Sequence, residues 1–475
     1  MPNHGVFVSE QATSVGTPIP AKVSIPFVIG AAPVQSAESP ATVGDPVLCT
    51  SFEEAVEKLG YSDDWTKYNL CEFMYSHFKL FGCQPVIFLN LLDPSTMKSA
   101  VAASDKAVSD HKVKLPIEAI NDATLVVKAA GGAGDPYVKD TDYSTYYDGE
   151  YLVIELLSDG DHYSDANINV AYTAVTPTSV DTSALATGLE NIEKCLTVVG
   201  IVPDLICAPG YSENSGVAAV MATKTAGING MFRAKALIDI STAASGGADD
   251  YSEVAAVKAS NNFTDKNQIA CWPLLKLADK VFHFSTQLAG LMAKVDTANG
   301  GIPYESPSNK GLQCDSLVVA AGTEVKLTLA QANILNAAGV MTALNFIGGF
   351  VAWGNYTACY PASADVKDYL IPTSRMFDFE GNTFIITFWK NLDLPMNRRL
   401  IDSIMDTANI WLNGLVGGGY LLGARAEFKE SENPLSNLMA GIIKIHIYNA
   451  PPSPAQEIDF VLEYDASYVA AALQG

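Results

Sequence analysis

The stretch LAQANILNAAGVMTALNFIGGFVAWGNYT, from Leu329 to Thr357, decides how the rest of the chain is read. It reads as helix, stop and buried strand. Thr328 stands three residues before Gln331, the spacing of a capping box, in which a hydroxyl and an amide side chain each satisfy a free backbone group at a helix start. Gly339 ends that helix, because glycine adopts the left-handed conformation common just past a helix C-terminus. The run that follows is apolar on both alternating faces, with Val340, Leu344 and Phe346 on one and Met341, Ala343 and Ile347 on the other. A strand covered on both faces belongs in an α/β layer. Gly348-Gly349 breaks it before a second short strand from Phe350 to Trp353.

The same alternation of helix and strand appears on the N-terminal side. Phe27 to Ala31 reads as the first buried strand. Ser51 and Glu54 repeat the capping-box spacing and open a helix from Phe52 to Leu59, which Gly60 stops. Leu70, Phe73, Met74, His77, Phe78 and Phe81 share one helical face, Gly82 ends that helix, and a strand follows from Pro85 to Leu91. His77 on this apolar face reads as a core histidine, since no second metal-binding residue stands near it. The helix TGLENIEKCLTVVG turns Leu189, Ile192, Cys195 and Leu196 inward and leads to a strand from Asp204 to Ala208.

Between these blocks, from Asp93 to Pro177, short alternating strands such as Thr124 to Lys128, Tyr151 to Leu157 and Asn167 to Thr173 are separated by Gly, Asp and Asn turns. This segment reads as an inserted β-sandwich domain. AAGGAGDP from Ala129 has no following Lys-Ser or Lys-Thr and opens no helix, so it is a turn and not a phosphate cradle. Asp140, Asp142 and Asp148 lack the central Gly and terminal Glu of a calcium loop and read as solvated turn carboxylates.

After Gly354, DYLIPTSRMFDFEGNTF reads as an extended lead-in, then a helix and a strand. Asn397 to Leu412 is a strong helix. Ile443, Ile445 and Ile447 alternate with Lys444, His446 and Tyr448 as a half-buried strand, and Pro451-Pro452-Ser453-Pro454 is a stiff linker. The strand read from Glu457 to Asp465 sets Ile458, Phe460, Leu462 and Tyr464 against a face of mostly carboxylates. At the other end, residues 1–26 are rich in Pro, Ser and Thr but contain a small strand, Gly5 to Ser9, with Val6, Phe7 and Val8. Twenty such residues fully extended reach roughly 66 Å, enough to lie on a neighbouring molecule.

Composition bounds the function. At 475 residues the chain predicts two to four domains, and 48% hydrophobic with 17% charged residues is globular. A formal net charge of -23 argues against sequence-independent nucleic-acid binding, which needs clustered Lys and Arg. No apolar run approaches a membrane span, and MPNHGVFVSE lacks the features of a signal peptide, so the chain is expected to start in the cytoplasm. Eight dispersed cysteines with no Cys-x-x-Cys pair predict free buried thiols and no metal framework.

Candidate chemistry is sparse. Strand, Pro-Gly turn, Ser212 and helix follow the order of a nucleophile elbow, but Asn214 stands where the second Gly is needed, and Ser212 reads as a helix N-cap. None of the six histidines, His4, His77, His111, His162, His283 and His446, lies in a triad motif. Asp402 and Asp406, one turn apart, read as a solvated face. No catalytic residue, metal ligand or cofactor is expected.

Taken in order, Gln331, Ala332, Asn333, Leu335, Asn336, Gly339 and Val340, then Gly349, Trp353, Gly354, Asn355 and Thr357, resemble the contractile tail sheath family of phages and related injection particles, phage-like bacteriocins included. Further matches are GVFVSE with Ile25 to Gly30, GLENIEKC with GIVPDLICAPGYS, and Ser285 to Gly311 with AGLMAKVD and GGIPYESPSNKG. The resemblance implies an α/β and α+β multidomain protein with a subtilisin-like α/β core, an inserted β-sandwich, a C-terminal α+β domain and extended arms. The division is an arm at 1–26, core at 27–92 and 178–354, insertion at 93–177, a C-terminal sheath domain at 355–450 and an arm at 451–475. It implies no enzyme activity, since fold does not confer it. It also implies hexameric rings stacked helically around an inner tail tube protein, with baseplate and tail terminator proteins as partners. No direct nucleic-acid contact and no membrane insertion are implied. The chain would assemble in the bacterial host cytoplasm and end in a virion tail or an extracellular contractile particle. Val6, Phe7, Val8, Ile458, Phe460, Leu462 and Tyr464 are then expected at subunit interfaces, and Arg398 and Arg399, adjacent cations in an acidic chain, on the tube-facing surface. The rival readings are a surface- or receptor-binding β module on an α/β scaffold and, less favoured, a hydrolase.

Overall fold

The computed structural model describes residues 18–473. Its centre is an eight-stranded sheet: β1 (Pro26–Gly30), β2 (Val47–Cys49), β3 (Val86–Asn90), β4 (Leu205–Cys207), β5 (Lys235–Asp239), β6 (Gln268–Cys271), β7 (Val340–Asn345) and β8 (Phe350–Trp353). The spatial order is β8-β7-β6-β5-β4-β1-β3-β2. The six inner strands are parallel, and β2 and β8 close the edges antiparallel. Strands with helices over both faces must be apolar throughout, and β1, β3, β5 and β6 are buried at every position.

The deciding stretch folds as read up to Asn345. Leu329–Ala337 is a helix with a complete Thr328–Gln331 capping box. Gly339 follows at φ 70°, where an added Cβ would lie 2.5 Å from the Tyr360 carbonyl oxygen. The buried Lys258 ammonium secures this corner by donating to the carbonyls of Ala338, Ala358 and Tyr360 at 2.6, 2.7 and 3.1 Å. Phe346 and Ile347 depart from expectation. The chain turns after Asn345, which pairs with Phe350, so both side chains sit on the tip of the β7–β8 hairpin, 65% and 83% exposed.

Residues 98–175 hold two three-stranded antiparallel sheets. One runs Lys98–Ala107, Asn167–Val175, Val126–Ala129; the other runs Lys112–Pro116, Tyr151–Leu156, Tyr143–Asp148. Val113, Leu115, Val127, Leu152, Ile154, Ile168 and Val170 form a hydrophobic core of their own between them. Lys98 pairs with Val175, so the two ends of the segment lie side by side. Asp142 is not a solvated turn carboxylate: it is buried and accepts the Val138 amide at 2.7 Å. A four-stranded antiparallel sheet, Lys280–Phe282, Leu274–Leu277, Ser316–Val318 and Glu324–Val325, was not anticipated from the sequence.

Other corrections are local. The 187–200 segment breaks into a 3-10 turn at Leu189–Lys194 and a short helix at Cys195–Val198, which leaves Leu196 exposed while Leu189, Ile192 and Cys195 are buried. The expected helix and strand at 368–384 are instead part of a continuous helix, Ile371–Phe388, because its long buried face packs on both the sheet body and a second core. That core gathers Met376, Phe379, Ala408, Leu412, Leu415 and Leu421. The Asn397-capped helix runs Arg398–Gly417. The last strand begins at His446, later than read, and pairs His446–Ala450 with Gly423–Glu427, since Asn433 binds the backbone of Lys444 and holds the chain just before it out of the ladder. Beyond Ala450 the chain is irregular to Asp465 and then forms an unanticipated helix, Ala466–Leu473.

Candidate functional site

An open parallel sheet takes its ligands at the carboxyl ends of its strands, in the crevice where the strand order reverses. Here that point lies between β1 and β4. It is filled by the protein's own Asn69, from the helix at Asn69–Met74. The Asn69 carbonyl oxygen accepts the Ala31 amide at 2.8 Å, and its amide nitrogen donates to the Pro209 carbonyl at 2.9 Å and the Ile29 carbonyl at 3.4 Å. Gly30 makes room for it: a Cβ there would stand 2.1 Å from the Asn69 side-chain oxygen. One residue type and one glycine close the crevice.

Beside the plug lies the nearest approach to a catalytic constellation. Asp239, at the end of β5, accepts the Ser285 amide at 2.9 Å and the Ser212 and Ser285 hydroxyls. His283 donates its amide to Glu72 at 2.7 Å, and its Nδ1 lies 2.8 Å from the same carboxylate. Burial opposes charge on His283, but the Glu72 carboxylate, with Asp239 and Glu213, outweighs it and raises the pKa to about 10. The imidazole is therefore an imidazolium in an ion pair, not a free base. Ser212 is fully buried, and its hydroxyl also accepts the Asp239 amide at 3.1 Å. It is not the N-cap expected from the sequence. The helix starts later, at Ser215, and Asn214 caps it through the amides of Gly216 and Val217. The arrangement stitches strand ends together and presents no serine to a substrate.

His77 is a core histidine as read, stacked on Phe73, with its pKa pushed down to about 3 by burial. All eight cysteines are free, seven of them buried. Among the described residues no three His, Cys, Asp or Glu side chains are grouped to hold a metal, and no helix is long and apolar enough to cross a membrane.

What the fold presents outward is the C-terminal segment. Pro454 to Glu457 form one wall of a cleft of about 410 Å³. The opposite wall comes from the deciding stretch and the loop after it: Asn333, Asn336, Trp353, Tyr356 and Tyr360. From there the chain leaves the body. Ile458, Phe460, Leu462 and Tyr464 are all exposed, and residues 457–465 form no ladder with the described residues. Val6, Phe7 and Val8 lie outside the described residues. From Ile19 the N-terminal segment is anchored on the body. The amides of Ile19 and Ala21 each donate at 3.0 Å to Thr387 and Thr383 on the 371–388 helix.

That anchor ends in a buried ionic cluster invisible to sequence reading. Arg375 chelates Asp296 and lies 3.6 Å from Asp204, and its guanidinium donates to the Ser24 hydroxyl at 2.9 Å. Next to it Lys235 pairs with Asp378 at 2.8 Å. Burial raises Asp204 to about 6 against the pull of Arg375. The only sequence signal was a lone Arg within an apolar stretch. Arg398 and Arg399 begin the last long helix, both exposed, with Arg398 held to Asp402 at 2.9 Å. The Trp389, Leu392 and Leu394 side chains just before them are also exposed.

No family model matches the chain. It is 26% identical over 494 aligned residues to the tail sheath protein of Burkholderia phage BcepMu, covering 98% of this chain and 97% of that one. It is 25% identical to the major tail sheath protein of Serratia phage KSP20 over 44% of this chain and 53% of the relative. In fold it is similar to a chain of the anti-feeding prophage baseplate, with a TM-score of 0.60, 15% identity and coverage of 98% and 99%. The sheath of an extracellular contractile injection system in the contracted state gives 0.59, 12% identity and the same coverage. A sheath tail protein of Listeria innocua gives 0.51, 14% identity, and 91% and 96%. The solved structures share the mixed α/β multidomain fold, and the chain is similar in sequence to curated tail sheath proteins, to that of BcepMu along almost its whole length and to that of KSP20 over 44% of it.

Proposed function

We propose that the chain is the repeating subunit of a contractile sheath that polymerises around an inner tube and contracts to drive it through a target envelope. The observation that carries this reading is the exposed apolar arm beyond residue 457, attached to a body whose ligand crevice is filled by its own side chain. Four large apolar side chains in water gain by meeting another surface, and a homopolymer supplies one in every copy. The arm would pair with a neighbouring subunit, with Val6, Phe7 and Val8 of the N-terminal arm as the complementary strand. Backbone hydrogen bonds would then join the copies, and Ile458, Phe460, Leu462 and Tyr464 would set register. Each molecule would give and receive, a head-to-tail contact that propagates into rings and helices.

In this reading residues 27–92 and 178–354 are the α/β core, subtilisin-like by resemblance and without a working triad. Residues 93–177 are an insertion on the outside, and 355–450 face the tube through Arg398 and Arg399. Tube, baseplate and terminator proteins are the partners, and the particle is assembled in the host before it acts outside. Contraction would draw on the difference between two packings, a few kcal/mol per subunit summed over many copies. Electron microscopy of the purified protein tests the reading: tubes or rings are expected, and a small monodisperse particle under all assembly conditions overturns it in favour of a binding module.

A further inference from the structure

Glu380 lies on the 371–388 helix and is 2% exposed. One carboxyl oxygen accepts from the Asn449 side-chain amide, and the other, buried as well, has no partner among the described residues. Among the described residues no cation pairs with it. On its own helix Arg375 is committed to Asp296 and Asp204, and Asp378 to Lys235. On the 398–417 helix Arg398 is paired with Asp402. On the two-stranded sheet Arg425 lies over the Tyr448 ring, and His446 meets Glu432, which also faces Lys429 and Lys444. Asn449 is the next-to-last residue of the 446–450 strand, and Pro451-Pro452 then lead into the arm.

We propose that Glu380 and Asn449 form a proton-operated latch at the base of the C-terminal arm, closed while the carboxyl is neutral and weakened when it ionises. A neutral carboxyl leaves one buried polar atom unpaired in this site, whereas a carboxylate would be a buried charge without a counterion, which costs more. Burial raises the Glu380 pKa to about 7, opposed only by the Asn449 hydrogen bond. Detaching the strand opens the carboxyl to water and moves its pKa toward the ordinary value, 4.5. Below pH 4.5 the group is neutral in both states and the latch is at full strength. Between 4.5 and 7 the detached state loses its proton first, so closing weakens steadily; above 7 both states are ionised and the loss levels off. Acid therefore seats the strand that carries the arm.

Its part in assembly rests on the sheath reading above; the latch itself does not. Hydrogen exchange measured by mass spectrometry on the unassembled full chain, corrected for intrinsic chemistry, reads it directly. In the unsubstituted protein, protection of the 446–450 amides should fall between pH 5 and pH 8, by up to about seventyfold for a carboxyl fully exposed on detachment. In Glu380→Gln, which keeps an acceptor for Asn449 but cannot ionise, most of that fall should vanish. Only residue 380 differs between the two proteins, so the difference isolates Glu380. Parallel loss of protection in the two proteins, or no loss in the unsubstituted one, overturns the latch. Assembly is the second readout: tubes should be less stable above pH 7 only when Glu380 is present. Failure to form particles at any pH would count against the sheath reading, and the exchange result would still decide the latch.

Discussion

Replacing Phe460 by lysine separates the role of the arm from that of the body. On the isolated chain Phe460 is 82% exposed and belongs to no hydrophobic core, so the substitution removes almost no buried area. Circular dichroism and the melting temperature of the monomer should stay the same within error. If the side chain is buried between copies, each contact loses the transfer of one Phe, about 1.5–3 kcal/mol. Desolvating the lysine ammonium adds to that loss. A head-to-tail polymer makes one such contact per subunit, so the critical concentration for assembly should rise at least tenfold and up to about 150-fold, at 1.4 kcal/mol per factor of ten. Sedimentation across a dilution series, with electron microscopy of the pellet, measures it. Tubes at an unchanged critical concentration, or a monomer that melts several degrees lower, would refute the reasoning, the second result because the residue would then belong to the fold of a single chain.

Three further perturbations follow from the structure. Asn69→Ala removes the plug and leaves the Ala31 amide and the Pro209 carbonyl without their buried partner, so it should destabilise the body by about 2–4 kcal/mol; a urea midpoint shifted by less than 1 kcal/mol equivalent would sink the argument. Removing residues 99–174 and joining Lys98 to Val175, which are already paired, through a short turn should give a folded chain that still forms tubes. A folded product that never assembles would show that the outer sheets hold the lattice. Arg398→Glu with Arg399→Glu sacrifices only the exposed Arg398–Asp402 pair, worth under about 1 kcal/mol, yet should lower co-assembly with the tube protein and make the yield salt-dependent. Equal yields at low and high salt would remove these residues from the tube surface.

What could be read from the sequence was local. Thr328, Gln331 and Gly339 act within a turn or two of themselves, so the helix, its stop and the start of the next strand were legible, as were Ser51 and Gly60 around the first helix. The reading failed where distant partners decide. Gly381 and the Thr and Phe residues around it favour a strand by propensity, but two cores on opposite sides hold 371–388 as one helix. Asn69, Glu72, His283 and Asp239 are ordinary residues in sequence, and only the crossover connections bring them to one end of the sheet. The exposure of the C-terminal segment was legible in outline, because the stiff Pro451–Pro454 linker holds its apolar face away from the preceding strand.

The anchoring of both arms on one helix has a mechanical consequence. The N-terminal arm is tied to the 371–388 helix through Thr383, Thr387 and the Ser24–Arg375 contact, and the strand that carries the C-terminal arm touches the same helix at Glu380. In a lattice joined arm to arm, a pull entering by one arm would meet the other on this helix, where Glu380 and Thr387 are about 11 Å apart at 1.5 Å per residue. The α/β body shares that load, because the N-terminal arm runs straight into β1, an inner strand of the sheet. Such a net would stretch and twist at its links while the sheets at its nodes keep their shape.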